Sequence, residues 1–438
     1  MTLFGVIWAI TIIYCFSKKD IKYMLLFTLL FMTFQCTNVL YISAGKGVGP
    51  QVLTSFFFIV KVLVTLEFKL KKRQIDKTRL AKASLLAVLL IVVTSSIMNG
   101  IWLEKILYIF QLGIYVLTFF LMMRASKLIS RSELYSIIRF VIMFVVIVGV
   151  IQWLLTMFFP SGKILLKYIL YNDSNEDVYF NFNDYFHNRR IYSTFMEPSY
   201  MAAFAVGAFY YLLSFWNERK KNLWLLALLL TIIIVSFSST AYGAFGITGL
   251  LFISSTKEIK RSWKIVIIFV GCIGLLLFAV SFRETLDAVL FSKSLTGSAT
   301  TRARWNNEAF DAFLTSPLWG IGYKAIRGSS IVYSLLGEIG LLGFFSFLVF
   351  NVSSTWRAFV RRNESVQYTR GYYGTVYAVI ASFICLIIAC PDLDLCSYWL
   401  WLYLLACYSG QELIIYKRKR LFKYKYGIQN RLRYKKVN

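Results

Sequence analysis

The 438-residue sequence predicts an all-α fold, a polytopic integral-membrane bundle of about thirteen helices (twelve to fourteen), and three observations carry that prediction. Hydrophobic residues make up 58% of the chain, and apolar runs recur along almost its whole length. These runs lack the strict alternation of a membrane barrel. In hydrocarbon every backbone polar group must be satisfied internally, so helices are the spanning structure that remains. The formal charge of +27 is also patterned. Segments 17–22, 67–82, 124–139, 216–222, 256–264, 356–370 and 412–438 hold 35 of the 48 Lys and Arg but only 8 of the 21 Asp and Glu, which leaves 13 of each elsewhere. Excess charge in every second loop is the positive-inside pattern. It assigns those segments to the cytoplasm, and a nucleic-acid partner is not needed to explain the charge.

In chain order the runs fall near 3–16, 23–43, 52–68, 83–99, 106–123, 138–159, 199–215, 223–238, 241–255, 264–281, 331–351, 374–389 and 398–414. The first lacks a basic n-region and a small-residue cleavage site, so it reads as a retained span and not as a signal peptide. The N-terminus is then outside and the basic tail, 412–438, is cytoplasmic. No soluble domain is foreseen, so residues 1–438 form one membrane domain. Lys61 and Glu338 are the costly ionisable residues inside runs, where such groups tend to face a cavity; for Lys61 snorkelling is an equal alternative.

Metal, cofactor and nucleotide chemistry find no motif. There is a single histidine, His187, and neither ligand spacing for zinc nor a Walker or Rossmann glycine pattern occurs, so no cofactor and no metal are expected. Five of the seven cysteines lie in apolar runs. Cys390 and Cys396 flank the short outward loop PDLDL, the one place where a disulfide is allowed.

Two outward loops, 161–199 and 281–331, are much longer than the rest, and long loops in a compact bundle commonly carry function. The first ends in HNRRIYSTFMEPSYMAAFAVGAF, bringing His187, Arg189, Arg190 and Glu197 to the lip of a span in which Pro198 suits the first turn. The second contains TRARWNNEAFDAFLTSPLWG, where Trp305, Ala309, Ala312 and Phe313 share one helical face between a Thr300 or Thr301 cap and Ser316-Pro317. Arg302 and Arg304 then lie at the positive helix end, where side-chain and backbone donors meet an anion together. Arginine pairs in both loops suggest one phosphate site, since arginine grips two oxygens at once. Plain readings stay open: Glu197 as a helix cap, the arginines as solvated or lipid-facing groups, Glu338 as a packed glutamate.

Three passages carry a family resemblance. RIYSTFMEPSYMAA at 190–203, RARWNNEAFDAFLTSPLWGIGY at 302–323 and SLLGEIGLLGFF at 334–345 resemble the O-antigen ligase and polymerase superfamily, especially Wzy-type polymerases of capsule, O-antigen and exopolysaccharide. Ligases of that superfamily place a His between the "PL-G-G" turn and the "E-GLLG" span, where this chain has Ser329 and Ser330, so polymerase is the nearer type. The resemblance implies a bacterial plasma-membrane glycosyltransferase that joins undecaprenyl-pyrophosphate-linked oligosaccharide repeats on the outer face. Membrane lipid, a flippase and a chain-length regulator are the implied partners. It also implies roles: Arg190, Arg302 and Arg304 would stabilise the departing diphosphate without metal, with Arg189 and Arg327 in support. Glu197, then Glu338, would act as base, with Asp184 and Asp311 behind, while Trp305 and Tyr323 contact substrate. Rival readings are a ligase-type glycan transferase and a flippase. The long loops and the lack of duplicated halves weigh against the flippase.

Overall fold

The computed structural model describes residues 2–43, 46–65, 79–159, 166, 170–172, 190–216, 220–256, 262, 264, 297–360 and 370–411. Asp184, His187, Arg189, nearly all of the run 264–281 and the tail 412–438 lie outside the described residues. The described chain is helical apart from one hairpin. By length and composition five of its helices can cross a membrane: α4 (Arg79–Met98), α5 (Trp102–Ala125), α6 (Arg131–Phe158), α11 (Ile331–Val360) and α12 (Arg370–Ala389). Shorter apolar helices accompany them: α1 (Leu3–Ser17), α2 (Ile21–Phe31), α3 (Pro50–Thr65), α7 (Pro198–Leu213), α8 (Leu223–Val235) and α9 (Ser239–Ser255). Helix α10 (Gly297–Thr315) and a last helix, α13, over residues 396–411 complete the described set.

Local chemistry explains several boundaries. Thr2 caps α1 by accepting the Gly5 N–H at 2.9 Å, and Asp20 caps α2 through the Lys22 N–H at 3.0 Å. A full capping box, Ser130 with Glu133, opens α6. Lys61 is buried, and its ammonium donates to the carbonyls of Lys18 (2.8 Å) and Phe16 (3.3 Å) where α1 ends. A cation there satisfies orphan carbonyls and opposes the negative end of the helix dipole.

The run expected to span 23–43 is broken. Helix α2 stops at Phe31 after 11 residues, a rise of about 16 Å where the hydrocarbon core needs about 30 Å. Polar groups from Thr33 to Asn38 turn the chain instead. The Gln35 N–H donates to the Thr194 carbonyl (3.1 Å), and the Asn38 N–H to the Asn172 side chain (2.6 Å). The antiparallel hairpin β1 (Leu40–Ser43) and β2 (Lys46–Val48) follows. Nor do Cys390 and Cys396 pair. Both are free thiols, Cys390 against the Ser199 carbonyl (3.7 Å) and Cys396 against the Tyr115 hydroxyl (3.6 Å).

Burial separates core from flank. Helix α7 is apolar all round and buried on nearly every residue, packed on α9 and α12, as expected of a central helix. Helix α11 packs on α4 and exposes Leu342, Phe345, Val349, Val352 and Trp356, a stripe repeating every three to four residues.

Helix α11 is not continuous. At Gly340 the backbone takes φ 63° and ψ −167°, a conformation held almost solely by glycine. A straight helix would pair the Leu341 N–H with the Gly337 carbonyl and the Leu342 N–H with the Glu338 carbonyl. The break opens both bonds, and the segment 317–322 satisfies all four groups. Ile321 and Gly322 donate to the Gly337 and Glu338 carbonyls, each at 2.9 Å; Leu341 and Leu342 donate to the Pro317 and Leu318 carbonyls at 2.8 and 3.3 Å. Gly320 and Gly340 allow the approach: a Cβ on Gly320 would meet Glu338 backbone at 2.3 Å, and one on Gly340 would meet Leu318 backbone at 2.4 Å. Helix α4 locks the joint through Ser95 to the Glu338 carbonyl (3.1 Å) and Asn99 to the Gly320 carbonyl (3.1 Å). Irregular backbone at membrane depth is tolerated where protein supplies its partners, and here it does.

Candidate functional site

The interlocked segment leads into Tyr323-Lys324, where Lys324 adopts φ 58° and turns its side chain to the loop between α12 and α13. Its ammonium lies 2.8 Å from Asp392 and 2.9 Å from Asp394. The second oxygen of Asp394 accepts from Gln111 on α5 (3.1 Å), and that of Asp392 from the Tyr200 hydroxyl on α7. Glu338, 5% exposed, accepts the backbone N–H of Lys324. Three helices and two loops thus meet at one cluster of charges.

Burial favours the neutral forms of Asp392 and Lys324, and in both the opposite charges outweigh it. For Asp392, burial raises the pKa, but the Lys324 ammonium and the Tyr200 hydroxyl bring it down to about 2. For Lys324, burial lowers the pKa, and the charges of Asp394 and Asp392 lift it well above the usual lysine value. Both are ionised at neutral pH.

Arg327 extends the cluster. Burial works against its charge, yet the Tyr200 oxygen, which accepts its hydrogen bond, together with Asp392 and Glu197, raises its pKa. Its guanidinium lies over the Trp305 ring, 5.2 Å from the centroid. Trp305 is positioned by α10, which Asn306 ties to the following loop by accepting from the Ser329 backbone (2.8 Å) and hydroxyl (2.9 Å). Ser329 is therefore a loop anchor.

The predicted site residues fall into two groups. Glu197, Glu338, Tyr323, Trp305 and Arg327 converge on this cluster. Glu197 holds the N-cap position of α7 with Pro198 at N1, but its side chain does not cap; it accepts from the Ser199 hydroxyl at 3.2 Å. Tyr323 is fully buried, its pKa pushed up by burial and by Asp394, and its hydroxyl has no hydrogen-bond partner among the described residues. Arg302 is exposed, yet near enough for its charge to act on the Cys390 thiol.

The second group departs from expectation. Helix α10 begins at Gly297, not at Thr300 or Thr301, because Ser298 and Ala299 continue it. Arg302 and Arg304 therefore lie beyond its first turn, where backbone N–H groups are already bonded, and the combined side-chain and backbone anion site is not formed. Arg304 pairs with Glu308 at 3.5 Å on the exposed side, and Asp311 is exposed on the same stripe. Arg190 donates to the Ser236 carbonyl (2.8 Å) in the turn between α8 and α9.

Lys324, Asp392, Asp394, Tyr200 and Gln111 were not anticipated. One signal was available: PDLDL sets two carboxylates between long apolar runs, where ionisable groups are costly and tend to be paired. Comparison of the chain with protein-family models and with curated proteins finds no match.

Proposed function

We propose that the chain is an integral-membrane glycosyltransferase that polymerises lipid-linked oligosaccharide repeats on the outer face of a bacterial plasma membrane. One observation carries the reading: two of the motifs behind the family resemblance, 302–323 and 334–345, interlock at the Gly340 joint, and Glu197 and Tyr200 of the third meet Arg327 beside it. In the reaction, a hydroxyl of the incoming repeat attacks the anomeric carbon of the growing glycan. The bond from that carbon to the carrier diphosphate breaks, and the diphosphate leaves with the electron pair. The hydroxyl proton passes to a carboxylate. Glu197 suits this role better than Glu338, because Glu197 is half-buried, whereas Glu338 is enclosed and already accepts the Lys324 N–H.

Charge developing on the diphosphate is best met by a donor fixed in advance. Arg327 fits, held by Tyr200 and seated on Trp305; exposed Arg302 lies to the side, available to a second phosphate oxygen. Lys324, neutralised by two aspartates, orients rather than binds. The test is polymer formation from purified undecaprenyl-pyrophosphate-linked repeats by the detergent-solubilised protein. Ladders of two or more repeats are expected. No product from the folded protein, together with single repeats trapped on the inner face in cells lacking the gene, would favour the flippase instead.

A further inference from the structure

Helix α10 has three different faces. Ala309 packs on α11, where a Cβ on Gly337 would meet the Ala309 carbonyl at 2.8 Å, with Trp305 and Ala312 beside it. A second stripe, Arg304, Glu308 and Asp311, is charged and exposed. The third carries Phe310, Leu314 and, just past the helix end, Leu318, which are 43, 59 and 56% exposed. Large apolar side chains in a continuous row mark a surface that something apolar covers.

The neighbouring surface says what covers it. Leu318 adjoins Leu342 through the Leu342 N–H to Leu318 carbonyl bond, and Leu342 begins the exposed stripe that runs through Phe345, Val349 and Val352 to Trp356. That stripe belongs to a helix long and apolar enough to cross a membrane, so its neighbour is lipid. The row on α10 is a direct extension of it. With two arginines and two acids from 302 to 311, α10 is itself too polar to span; apolar residues on one side and charge on another are the marks of a helix lying in the interface plane.

We infer that α10 is an interfacial helix whose Phe310–Leu314–Leu318 row inserts among phospholipid acyl chains, with Arg304, Glu308 and Asp311 at the headgroup and water level. The bilayer then sets the depth of Trp305 and Arg302. This inference depends on the membrane character of α11 and not on the polymerase reading, and its test involves no activity.

Spin labels on Phe310→Cys, Leu314→Cys, Leu318→Cys, Glu308→Cys and Asp311→Cys, with Val349→Cys as the lipid reference, are introduced singly into the full chain in phosphatidylcholine–phosphatidylglycerol vesicles. Wild-type protein treated with the same reagent supplies the blank; the six described cysteines are all buried. Collision with oxygen, which enters lipid, is compared with collision with a water-soluble nickel chelate. The oxygen-to-nickel ratio at 310, 314 and 318 is expected to match position 349 and to exceed that at 308 and 311 by about threefold or more. Nickel access at 310, 314 and 318 equal to that at 308 overturns the inference, because the row then faces water. Low access to both reagents at all three overturns it too, because protein then covers the row. Three independent sites keep the result readable if one variant fails to elute as the wild type.

Discussion

Replacing Lys324 by Met removes the ammonium that lies 2.8 and 2.9 Å from two carboxylates. The side chains of Lys324, Asp392 and Asp394 are 20, 26 and 12% exposed, so water reaches them only in part. Removing one partner of a buried pair typically costs 3–5 kcal/mol, since the remaining charge loses its compensation without regaining full solvation. Partial exposure favours the lower end, and we expect a loss of about 3 kcal/mol. Adding Asp392→Asn and Asp394→Asn to Lys324→Met takes away the stranded charges and should restore more than half of that loss. The measurement is unfolding by sodium dodecyl sulfate in mixed micelles, followed by far-UV circular dichroism. A Lys324→Met variant within about 0.5 kcal/mol of the wild type, or a triple variant no more stable than the single, would refute the view that mutual charge compensation holds this cluster.

Three further outcomes follow from the same geometry. Gly340→Ala should lose about 3 kcal/mol or more in that assay, from strain in the backbone and a Cβ only 2.4 Å from Leu318; Gly320→Ala should behave alike, and the double variant should lose less than the sum because both open one joint. Asp392, at about 2, sits below its ordinary value near 3.9, so its contribution is present above pH ~4 and disappears as pH falls toward 2; Asp392→Asn should flatten the acid limb of a stability–pH curve in that window. In the polymerisation assay Arg327→Ala should cost about a hundredfold to a thousandfold in rate with Arg327→Lys recovering part, while Arg304→Ala changes little because its exposed pair with Glu308 is worth ~0.5 kcal/mol.

The sequence made the helical membrane class legible because hydrocarbon imposes one strong rule, and the rule leaves its trace in every apolar run. Glu197, Trp305, Tyr323, Arg327 and Glu338 stand out singly in the sequence, but nothing in it shows that they meet. What was not legible depends on partners distant in sequence. The end of α2 at Phe31 is decided by Thr33 to Asn38 meeting residues 172 and 194, which no local window contains. The start of α10 at Gly297 was misplaced because threonine is a good cap wherever a helix begins, and nothing in Thr300-Thr301 says that it has begun already. In PDLDL the flanking cysteines suggest a disulfide, whereas the part played by its aspartates depends on Lys324, distant in sequence, lying between them.

The joint at Gly340 also constrains how the protein is assembled. An unpaired peptide group in hydrocarbon costs several kcal/mol, and the break leaves four of them until residues 317–322 dock. The span from Ile331 therefore cannot enter the bilayer already bent and alone. It either enters as an unbroken helix, with Gly340 in an ordinary helical conformation, and is pried open as the preceding segment exchanges two internal hydrogen bonds for four external ones, or it enters with that segment already attached. In both routes the charge cluster forms after the joint, since Lys324 reaches Asp392 and Asp394 only through it, and those aspartates are synthesised later than residues 317–342.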